Sequence, residues 1–260
     1  MYDIETRKQA LSLVARGHSL NSVSKQTGIS RAALQAWRTR LEPLATIGGQ
    51  SRPRPRCRPA PGAPQDTAAY AYLLGLYLGD GCISDHPRGG HHLRIACSDA
   101  WPGLIEACRE AMLAVRPEGS VCILKKQGCV AVTSYGRHWK CLFPQHGPGK
   151  KHERRIVLEP WQQEIVDAHP WEFVRGLIHS DGCRLINWAS RVVRGEKKRY
   201  EYVRYFFTNV SDDIRRLYTD TLDKLGVEWT HCTRAGRPYN ISVARKASVA
   251  LMDAHVGPKY

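Results

Sequence analysis

The feature that most constrains this chain is an internal repeat. Three landmarks recur in the same order: LGLYLGDGC at 74–82 and RGLIHSDGC at 175–183, Ser98-Asp99 and Ser211-Asp212, and HGPGK at 146–150 and HVGPK at 255–259. A repeat of this kind predicts two copies of one structural unit that pack against each other. We therefore expect two pseudo-symmetric halves within the 260 residues.

The first landmark has the spacing of a closely packed helix pair. Gly75 and Gly79 lie four residues apart, as do Gly176 and Ser180, so each predicted helix has one face without bulky side chains. Small residues one turn apart let two helix backbones approach closely. We expect these four residues to form a helix–helix interface. We also expect the glycine that follows each helix to adopt a left-handed C-terminal turn.

Each of these two predicted helices ends in an aspartate, Asp80 or Asp181. A carboxylate at a helix C-terminus faces the negative end of the helix dipole, which destabilises the helix by about 0.3–1 kcal/mol. Two such carboxylates side by side also repel each other. Divalent cations between them would offset this cost, so the pattern favours a shared metal site over two unrelated, solvated helix ends.

The remainder of both halves predicts helices that alternate with pairs of short strands, which is an α+β fold. The expected strands lie near residues 93–97, 120–124, 129–133, 202–209, 228–233 and 240–243. The basic segment from Arg191 to Arg204 is expected to be a long loop.

These residues resemble the LAGLIDADG homing endonuclease family, in its single-chain form with two repeats. The resemblance covers about residues 68–260 and rests on the motifs Leu73–Gly81 and Val174–Gly182, each with aspartate eighth and glycine ninth. It implies two pseudo-symmetric αββαββα repeats whose antiparallel sheets form a saddle in the major groove of DNA. The pairs Leu78-Gly79 and His179-Ser180 depart from the acidic-small pair that is common there.

The resemblance also implies a metal-dependent DNA endonuclease. Asp80 and Asp181 would hold Mg²⁺ (or Mn²⁺), which activates water and stabilises the leaving oxygen. Further implied residues are Asp99 and Asp212 to orient solvent, Lys150 (or its neighbour Lys151) and Lys259 near the scissile phosphate, and Arg94, Lys125, Lys126 and Arg204 as DNA contacts.

The first 42 residues predict three helices, near residues 4–16, 20–26 and 31–41, with Gly28 in the turn before the third. Serine N-caps precede the second and third helices. This pattern resembles the helix-turn-helix domains of transposases and resolvases, in which the third helix enters the major groove. The candidate contacts are Ser30, Arg31, Gln35 and Arg38. An ordinary three-helix bundle is the alternative.

Composition separates these parts of the chain. Prolines and arginines crowd the segment after the third helix, which favours an extended linker. The predicted organisation is a helix-turn-helix domain at 1–42, a Pro/Arg-rich linker at 43–67, a first repeat at 68–151, a linker with a short helix at 152–169, and a second repeat at 170–260.

The net positive charge of the chain indicates the kind of molecule that it binds. Lys and Arg number 39 against 24 Asp and Glu, and the resulting formal charge of +15 attracts polyanions such as DNA. The nine cysteines form no C-x-x-C pair, so a zinc ribbon is not indicated. The chain has no apolar run of 18 residues and no signal-peptide pattern at its start. We expect a monomer that binds double-stranded DNA, away from membranes, in the cytoplasm and associated with the nucleoid.

Three functions are compatible with this pattern. The first is a site-specific endonuclease that cuts both strands of DNA by phosphodiester hydrolysis. The second is a transcription regulator on the same scaffold, in which we would expect at least one of the two aspartates to be lost. The third is an RNA-binding maturase. Retention of both Asp80 and Asp181 favours the enzyme.

Overall fold

The computed structural model describes residues 2–39, 64–87, 89–234 and 236–260. The chain divides into two compact units, with the boundary between Arg56 and Cys57. Most of the predicted linker, residues 43–63, lies outside the described residues. Among the described residues, no helix combines the length and the apolar character needed to cross a membrane.

The N-terminal unit consists of three short helices, α1 (Ile4–Ala15), α2 (Leu20–Thr27) and α3 (Arg31–Thr39). Ser19 caps α2 by accepting a hydrogen bond from the backbone N–H of Ser22, and Gly28 ends it with a left-handed φ of +70°. Only a residue without a Cβ adopts that conformation freely, so the turn between α2 and α3 depends on this glycine. The helices close around a small core of Ala10, Val23, Ile29, Leu34 and Trp37.

The second unit repeats one order of elements, and it confirms the predicted α+β fold with two αββαββα repeats. The first repeat comprises α4 (Thr67–Asp80), β1 (Gly81–Asp85), β2 (His91–Ser98), α5 (Pro102–Val115), β3 (Val121–Lys126), β4 (Cys129–Gly136) and α6 (Trp139–Leu142). A 3₁₀ helix (Lys151–Glu153) and α7 (Pro160–Ala168) follow. The second repeat comprises α8 (Pro170–Asp181), β5 (Gly182–Val193), β6 (Glu196–Thr208), α9 (Asp212–Lys224), β7 (Thr230–Arg234), β8 (Arg237–Val243) and α10 (Lys246–His255).

Each repeat contains one four-stranded antiparallel sheet, ordered β1-β2-β4-β3 in the first and β5-β6-β8-β7 in the second. One face of each sheet packs against helices. Tyr205 and Phe207 of β6 are fully buried on that face, and the Phe207 ring lies 4.5 Å from that of Tyr218 in α9. Alternate residues point to the opposite face of a strand, so the other face of each sheet is directed away from the helices.

The prediction of a long basic loop between Arg191 and Arg204 was wrong, and the prediction of short strands fails for the two strands of this segment. β5 has 12 residues and β6 has 13, and they form a hairpin that turns at Arg194-Gly195. Both faces of its outer part are exposed to solvent. The apolar alternation that normally reveals a half-buried strand is therefore absent from this part of the sequence.

Helices α4 and α8 lie at the centre of the second unit. Residues 70–78 of α4 are buried without interruption, because the helix is surrounded by protein on all sides. The corresponding core residues of α8 include Phe173, Val174 and Leu177, and residues from both repeats belong to a single hydrophobic cluster. The two repeats thus share one core, with the helix pair inside it.

The backbones of α4 and α8 touch. A Cβ on Gly75 would lie 2.6 Å from the carbonyl oxygen of Phe173, and a Cβ on Gly176 would overlap the carbonyl oxygen of Tyr72. A Cβ on Gly79 would overlap the side chain of Ser180. The absence of side chains at these glycines is what permits the contact.

Gly176→Ala tests this contact. The free energy of unfolding should rise if only helix propensity matters at this position, and it should fall if the space between the helices requires a glycine. In an isolated helix, alanine would stabilise by about 1 kcal/mol relative to glycine. Here the added methyl group has no room, so we expect the free energy of unfolding to fall by about 2–4 kcal/mol, as in overpacked cores. Chemical denaturation monitored by circular dichroism measures the difference.

Gly147→Ala is the matched control for that substitution. A Cβ at Gly147 would approach only the flexible side chain of Arg154, at 3.4 Å. We expect its effect to stay within about 0.5 kcal/mol. Equal effects of the two alanines, or a more stable Gly176→Ala variant, would contradict a glycine-dependent helix contact.

Candidate functional site

The candidate site begins with two carboxylates at the ends of the central helices. Asp80 is the last residue of α4 and Asp181 the last of α8. Oδ2 of Asp181 lies only 3.0 Å from the position that a Cβ on Gly79 would take. Because the two helices end at the same level and in contact, the chain brings both carboxylates together where the two sheets begin.

The glycine after each aspartate is needed for space and not for a left-handed turn, contrary to our expectation. Gly81 and Gly182 have φ values of −88° and −105°, which any residue adopts. A Cβ on Gly81 would lie 2.5 Å from Cα of Tyr77, and one on Gly182 would lie 2.7 Å from Cα of Ile178. The first strand of each sheet can therefore leave its helix directly.

Both carboxylates are harder to ionise than a solvated aspartate. Burial is the main cause, and it raises the pKa of Asp80 and that of Asp181, the latter to about 6. Repulsion by Asp80 contributes to the pKa of Asp181, whereas a hydrogen bond from Nδ2 of Asn209 to Oδ2 of Asp181, 2.6 Å long, acts in the opposite direction. Two negative charges are thus held close together in a partly desolvated place.

Two lysines donate hydrogen bonds to the last carbonyl oxygens of the central helices. Nζ of Lys151 donates to the carbonyl oxygens of Tyr77, Leu78 and Gly79, at 2.5, 3.0 and 2.6 Å. Nζ of Lys259 donates to the carbonyl oxygen of Ser180 at 2.9 Å. A cation at this position interacts favourably with the helix dipole.

The positive charges of these two lysines also affect the ionisation of the carboxylates. Lys259 and Lys151 both lower the pKa of Asp80, against the larger effect of burial. Burial lowers the pKa of Lys151 to about 8 and also lowers that of Lys259. Of the two neighbouring lysines that the sequence offered, Lys151 therefore binds the end of α4, whereas Lys150 lines the cleft beside Asp181. The side chain of Lys150 is 72% exposed and pairs with Glu153.

The structure places Asp99 and Asp212 outside this cluster. Asp99 is exposed in the turn after β2, and Asp212 is exposed at the start of α9, where it pairs with Arg215. Asn209, directly after β6, is the residue that contacts Asp181.

The sequence did not reveal Asn209. Aligning the two halves on their Ser-Asp landmarks places the second half one residue out of its structural alignment with the first. The strand register aligns Gly81↔Ile95 with Gly182↔Phe207, so Asn209 corresponds to Cys97. Cys97 is buried and carries a thiol, which is a much weaker hydrogen-bond donor than an amide. A polar residue directly at the end of a predicted strand was the signal that could have revealed Asn209.

The two carboxylates at the site fit a divalent cation whose coordination shell is completed by other ligands. Within the described parts of the chain, no cluster of three or more His, Cys, Asp or Glu side chains is arranged to hold a metal. Mg²⁺, however, usually takes only one or two protein carboxylates and completes its shell with water and phosphate oxygens. A cleft of about 390 Å³ opens beside Asp181, lined by Gly79, Lys151, Thr208 and Asn209 among others. It leaves room for such ligands.

The outward faces of the two sheets carry part of the predicted DNA contacts. Arg94 alternates with the buried Leu93 and Ile95 and thus points away from the helices. Arg204 does so in β6, beside the buried Tyr205. Lys126 pairs with Cys129 on the outward face of the first sheet, whereas Lys125 pairs with the buried Val130 and belongs to the opposite face. The side chains of the two lysines therefore start from opposite faces of the sheet.

In the N-terminal unit, the four candidate contacts lie on the exposed side of α3. Ser30, Arg31, Gln35 and Arg38 are all exposed, while Leu34 and Trp37 face the small core. Oγ of Ser30 accepts a hydrogen bond from the N–H of Ala33, 3.3 Å long, and thereby caps the helix. One polar face of α3, with two arginines, is free of the core.

Comparison with known proteins gave structural neighbours only. No protein-family model and no curated protein sequence matches the chain. The homing endonuclease I-DmoI in complex with DNA and Mn is 13% identical, covers 75% of this chain and 98% of its own, and has a TM-score of 0.46. The N-terminal LAGLIDADG domain of DUF199/WhiA is 12% identical over 75% of this chain and 83% of its own, with a TM-score of 0.45. The LAGLIDADG meganuclease I-AabMI bound to uncleaved DNA is 12% identical over 72% and 83%, with a TM-score of 0.44.

The raised pKa of Asp181 predicts how stability depends on pH without divalent ions. Its pKa is 3.8 in an unfolded chain and about 6 in the folded one, so between these values the folded state binds more protons. The contribution of this group to stability is present below about pH 4 and is lost as pH rises through about 6. We expect Asp181→Asn to raise the free energy of unfolding by about 1–2 kcal/mol near pH 7.5 and to change it little near pH 4.

Thermal unfolding in a chelator at the two pH values measures this effect. An asparagine can still accept the hydrogen bond from Asn209, so the substitution removes charge and little else. Asp99→Asn is the control, since Asp99 is exposed and lies outside the cluster. A melting temperature of Asp181→Asn below that of the natural sequence near pH 7.5 would show that the carboxylate pair is not under strain.

Proposed function

We propose that this protein is a metal-dependent, site-specific endonuclease of double-stranded DNA, of the LAGLIDADG homing type. The observation that supports it most is the carboxylate pair: Asp80 and Asp181 meet at the ends of two touching helices, against burial and mutual repulsion. A protein that only binds DNA does not need this destabilising arrangement. A hydrolase needs it, because the two carboxylates can hold the cations that take part in catalysis.

Asp80 and Asp181 would hold Mg²⁺ (or Mn²⁺) at the cleft. When bound, the metal supplies activation of water and stabilisation of charge on the leaving oxygen. Asn209 fixes the orientation of the Asp181 carboxylate through its amide N–H. Lys151 and Lys259 place positive charge beside both carboxylates and would attract the phosphate backbone toward them.

The two sheets would bind the duplex through their outward faces. Side chains of a sheet can read base edges in the major groove, and basic residues fix its position on the phosphates. Arg94, Lys126 and Arg204 lie on these faces. Because one chain supplies both halves of the site, a monomer suffices. A charge of +15 suits association with the nucleoid in the cytoplasm.

The N-terminal unit would act as a tethered helix-turn-helix domain. The exposed face of α3 carries Arg31 and Arg38, and the turn before it is the short glycine turn of that motif. It would add affinity for DNA next to the cleavage site.

Two other functions stay as alternatives. A transcription regulator would use the same groove contacts but needs no carboxylate pair, so its retention favours the enzyme. An RNA-binding maturase would meet A-form RNA, whose major groove is too deep and narrow for an outward sheet face. A cleavage assay on a genomic library with Mg²⁺ distinguishes these functions, because only the enzyme produces double-strand breaks.

Substitution of either aspartate should separate cleavage from binding. We expect Asp80→Asn and Asp181→Asn to remove double-strand cutting while DNA affinity stays within about five-fold, since groove and phosphate contacts lie on other residues. Cleavage gels and electrophoretic mobility shifts on the same duplex measure the two properties.

Asp99→Asn provides the matched control, with the same chemical change outside the cluster. We expect it to keep at least about half of the cleavage rate. Parallel loss of binding and cutting in both site variants, or cutting that survives in both, would remove the assignment of the carboxylate pair to catalysis.

Removal of residues 1–42 tests the tethered domain. A linked second binding unit makes its own contact intramolecular, so we expect affinity for a long cognate duplex to fall by about 100-fold without it. The cleavage position should stay the same, because the catalytic residues belong to the other unit. Unchanged affinity on the long duplex would show that the N-terminal unit does not contribute to DNA binding.

A further inference from the structure

The two repeats differ most in the length of their first hairpin. In the first sheet, β1 has 5 residues, and β4 pairs with β2 along its whole length, His91–Ser98. In the second sheet, β5 has 12 residues, and β8 pairs only with Tyr205–Thr208 of β6. The remainder of β5 and β6, residues 185–204, therefore extends beyond the four-stranded sheet as a two-stranded ribbon. We call this segment the β5–β6 ribbon.

One face of the ribbon continues the outward face of the second sheet. Residues directly opposite in an antiparallel pair share a face. Leu185 pairs with Arg204, which lies on the outward face, so the residues on that face of the ribbon are Leu185, Asn187, Ala189, Arg191, Val193, Glu196, Lys198, Tyr200, Tyr202 and Arg204. This surface carries amide, guanidinium, ammonium and phenol groups next to one another.

Several of these side chains are already held in place. Nε of Arg204 donates to Oγ of Ser242 at 2.9 Å, and its guanidinium lies 4.8 Å from the centre of the Phe206 ring. Nδ2 of Asn187 donates to the hydroxyl of Tyr202 at 3.2 Å. Tyr200 and Tyr202 are nevertheless 47% and 37% exposed. The outward face is thus ordered and accessible.

The charge and dimensions of the ribbon fit the major groove of duplex DNA. Residues 185–204 contain six Lys or Arg and two Glu. The major groove, about 12 Å wide, admits a two-stranded ribbon. At about 3.3 Å per residue, the seven additional residues of β5 relative to β1 span about 23 Å, which corresponds to about six or seven base pairs.

We propose that the β5–β6 ribbon extends DNA recognition on one side of the cleavage centre only, so that the target has two half-sites of unequal length. This inference rests on the proposed function. Asn187, Arg191, Lys198 and Tyr200 would read the outermost base pairs on the side of the second repeat. The described residues of the first repeat contain no counterpart to the ribbon, since β1 and β2 end within their sheet.

The opposite face of the ribbon has a different character. Ile186, Trp188 and Val192 are exposed there, and the guanidinium of Arg199 lies 5.1 Å from the centre of the Trp188 ring. These residues share the face of the buried Tyr205, which is directed toward the helices in the body of the sheet. This face would therefore point away from the bound DNA.

A shortened hairpin tests the proposal. Asn187 pairs with Tyr202, and the present turn joins Val193 to Glu196, which is six positions further out on each strand. Joining Asn187 to Tyr202 through the same Arg194-Gly195 turn removes six residues from each strand. Because six is even, the side-chain alternation and the hydrogen-bonding phase of the hairpin are kept.

The full-length chain and this variant would be compared on duplexes selected from a random DNA library, by footprinting around the cleavage position. We expect the footprint of the variant to contract by about five or six base pairs on one side and to stay the same on the other. The N-terminal unit is present in both proteins, so it does not contribute to the difference. An unchanged footprint of the variant would overturn the proposal but leave the endonuclease function standing. Failure of the full-length chain to select or cut any duplex would remove the proposed function itself.

Lys197 and Lys198 supply a matched pair of substitutions. Both are exposed lysines of β6, but only Lys198 pairs with Arg191 on the outward face. We expect Lys198→Ala to lower affinity for the selected duplex by about 5- to 50-fold and to relax selection at the outermost base pairs. Lys197→Ala should change affinity by less than about two-fold. Equal losses from the two variants would overturn the assignment of the outward face as the reading surface.

Discussion

The structure of the second unit depends on the contact between the backbones of α4 and α8. Because Gly75 and Gly176 have no side chains, the two helices approach until their backbones touch. The helices are enclosed by the cores of both repeats, which they join into one hydrophobic cluster. Without this contact, the two repeats would have neither a common core nor a common site.

The same contact creates the chemistry of the site and its energetic cost. Two helices that touch and end together bring two carboxylates to one place, where burial and repulsion oppose their ionisation. Lys151 and Lys259 bind the terminal carbonyl oxygens, which offsets the unfavourable helix dipole and adds compensating charge. The lysines thus stabilise the helix ends in the folded chain and also place positive charge where a phosphate would lie.

The two repeats are similar in topology but not equivalent in detail. Asp181 has a hydrogen-bond donor in Asn209, whereas the corresponding position in the first repeat is the buried Cys97. The second sheet carries the β5–β6 ribbon, and the described residues of the first sheet form no such extension. A single chain can differ in this way because each half has its own sequence, whereas the two copies in a symmetric dimer have the same one.

The sequence alone determined the repeat, six of the described strands and the aspartate-bearing helix pair, because glycine spacing and side-chain periodicity are local properties, whereas β1 and β5 were not located from the residues. Only the tertiary structure decided which residues surround the carboxylates. Lys150 and Lys151 are indistinguishable in sequence, but only one reaches the end of α4. The equivalence of Asn209 with Cys97 depends on strand register, which long-range pairing sets. The β5–β6 ribbon escaped detection for a related reason: both of its faces meet solvent, so burial imposes no alternating pattern on its residues.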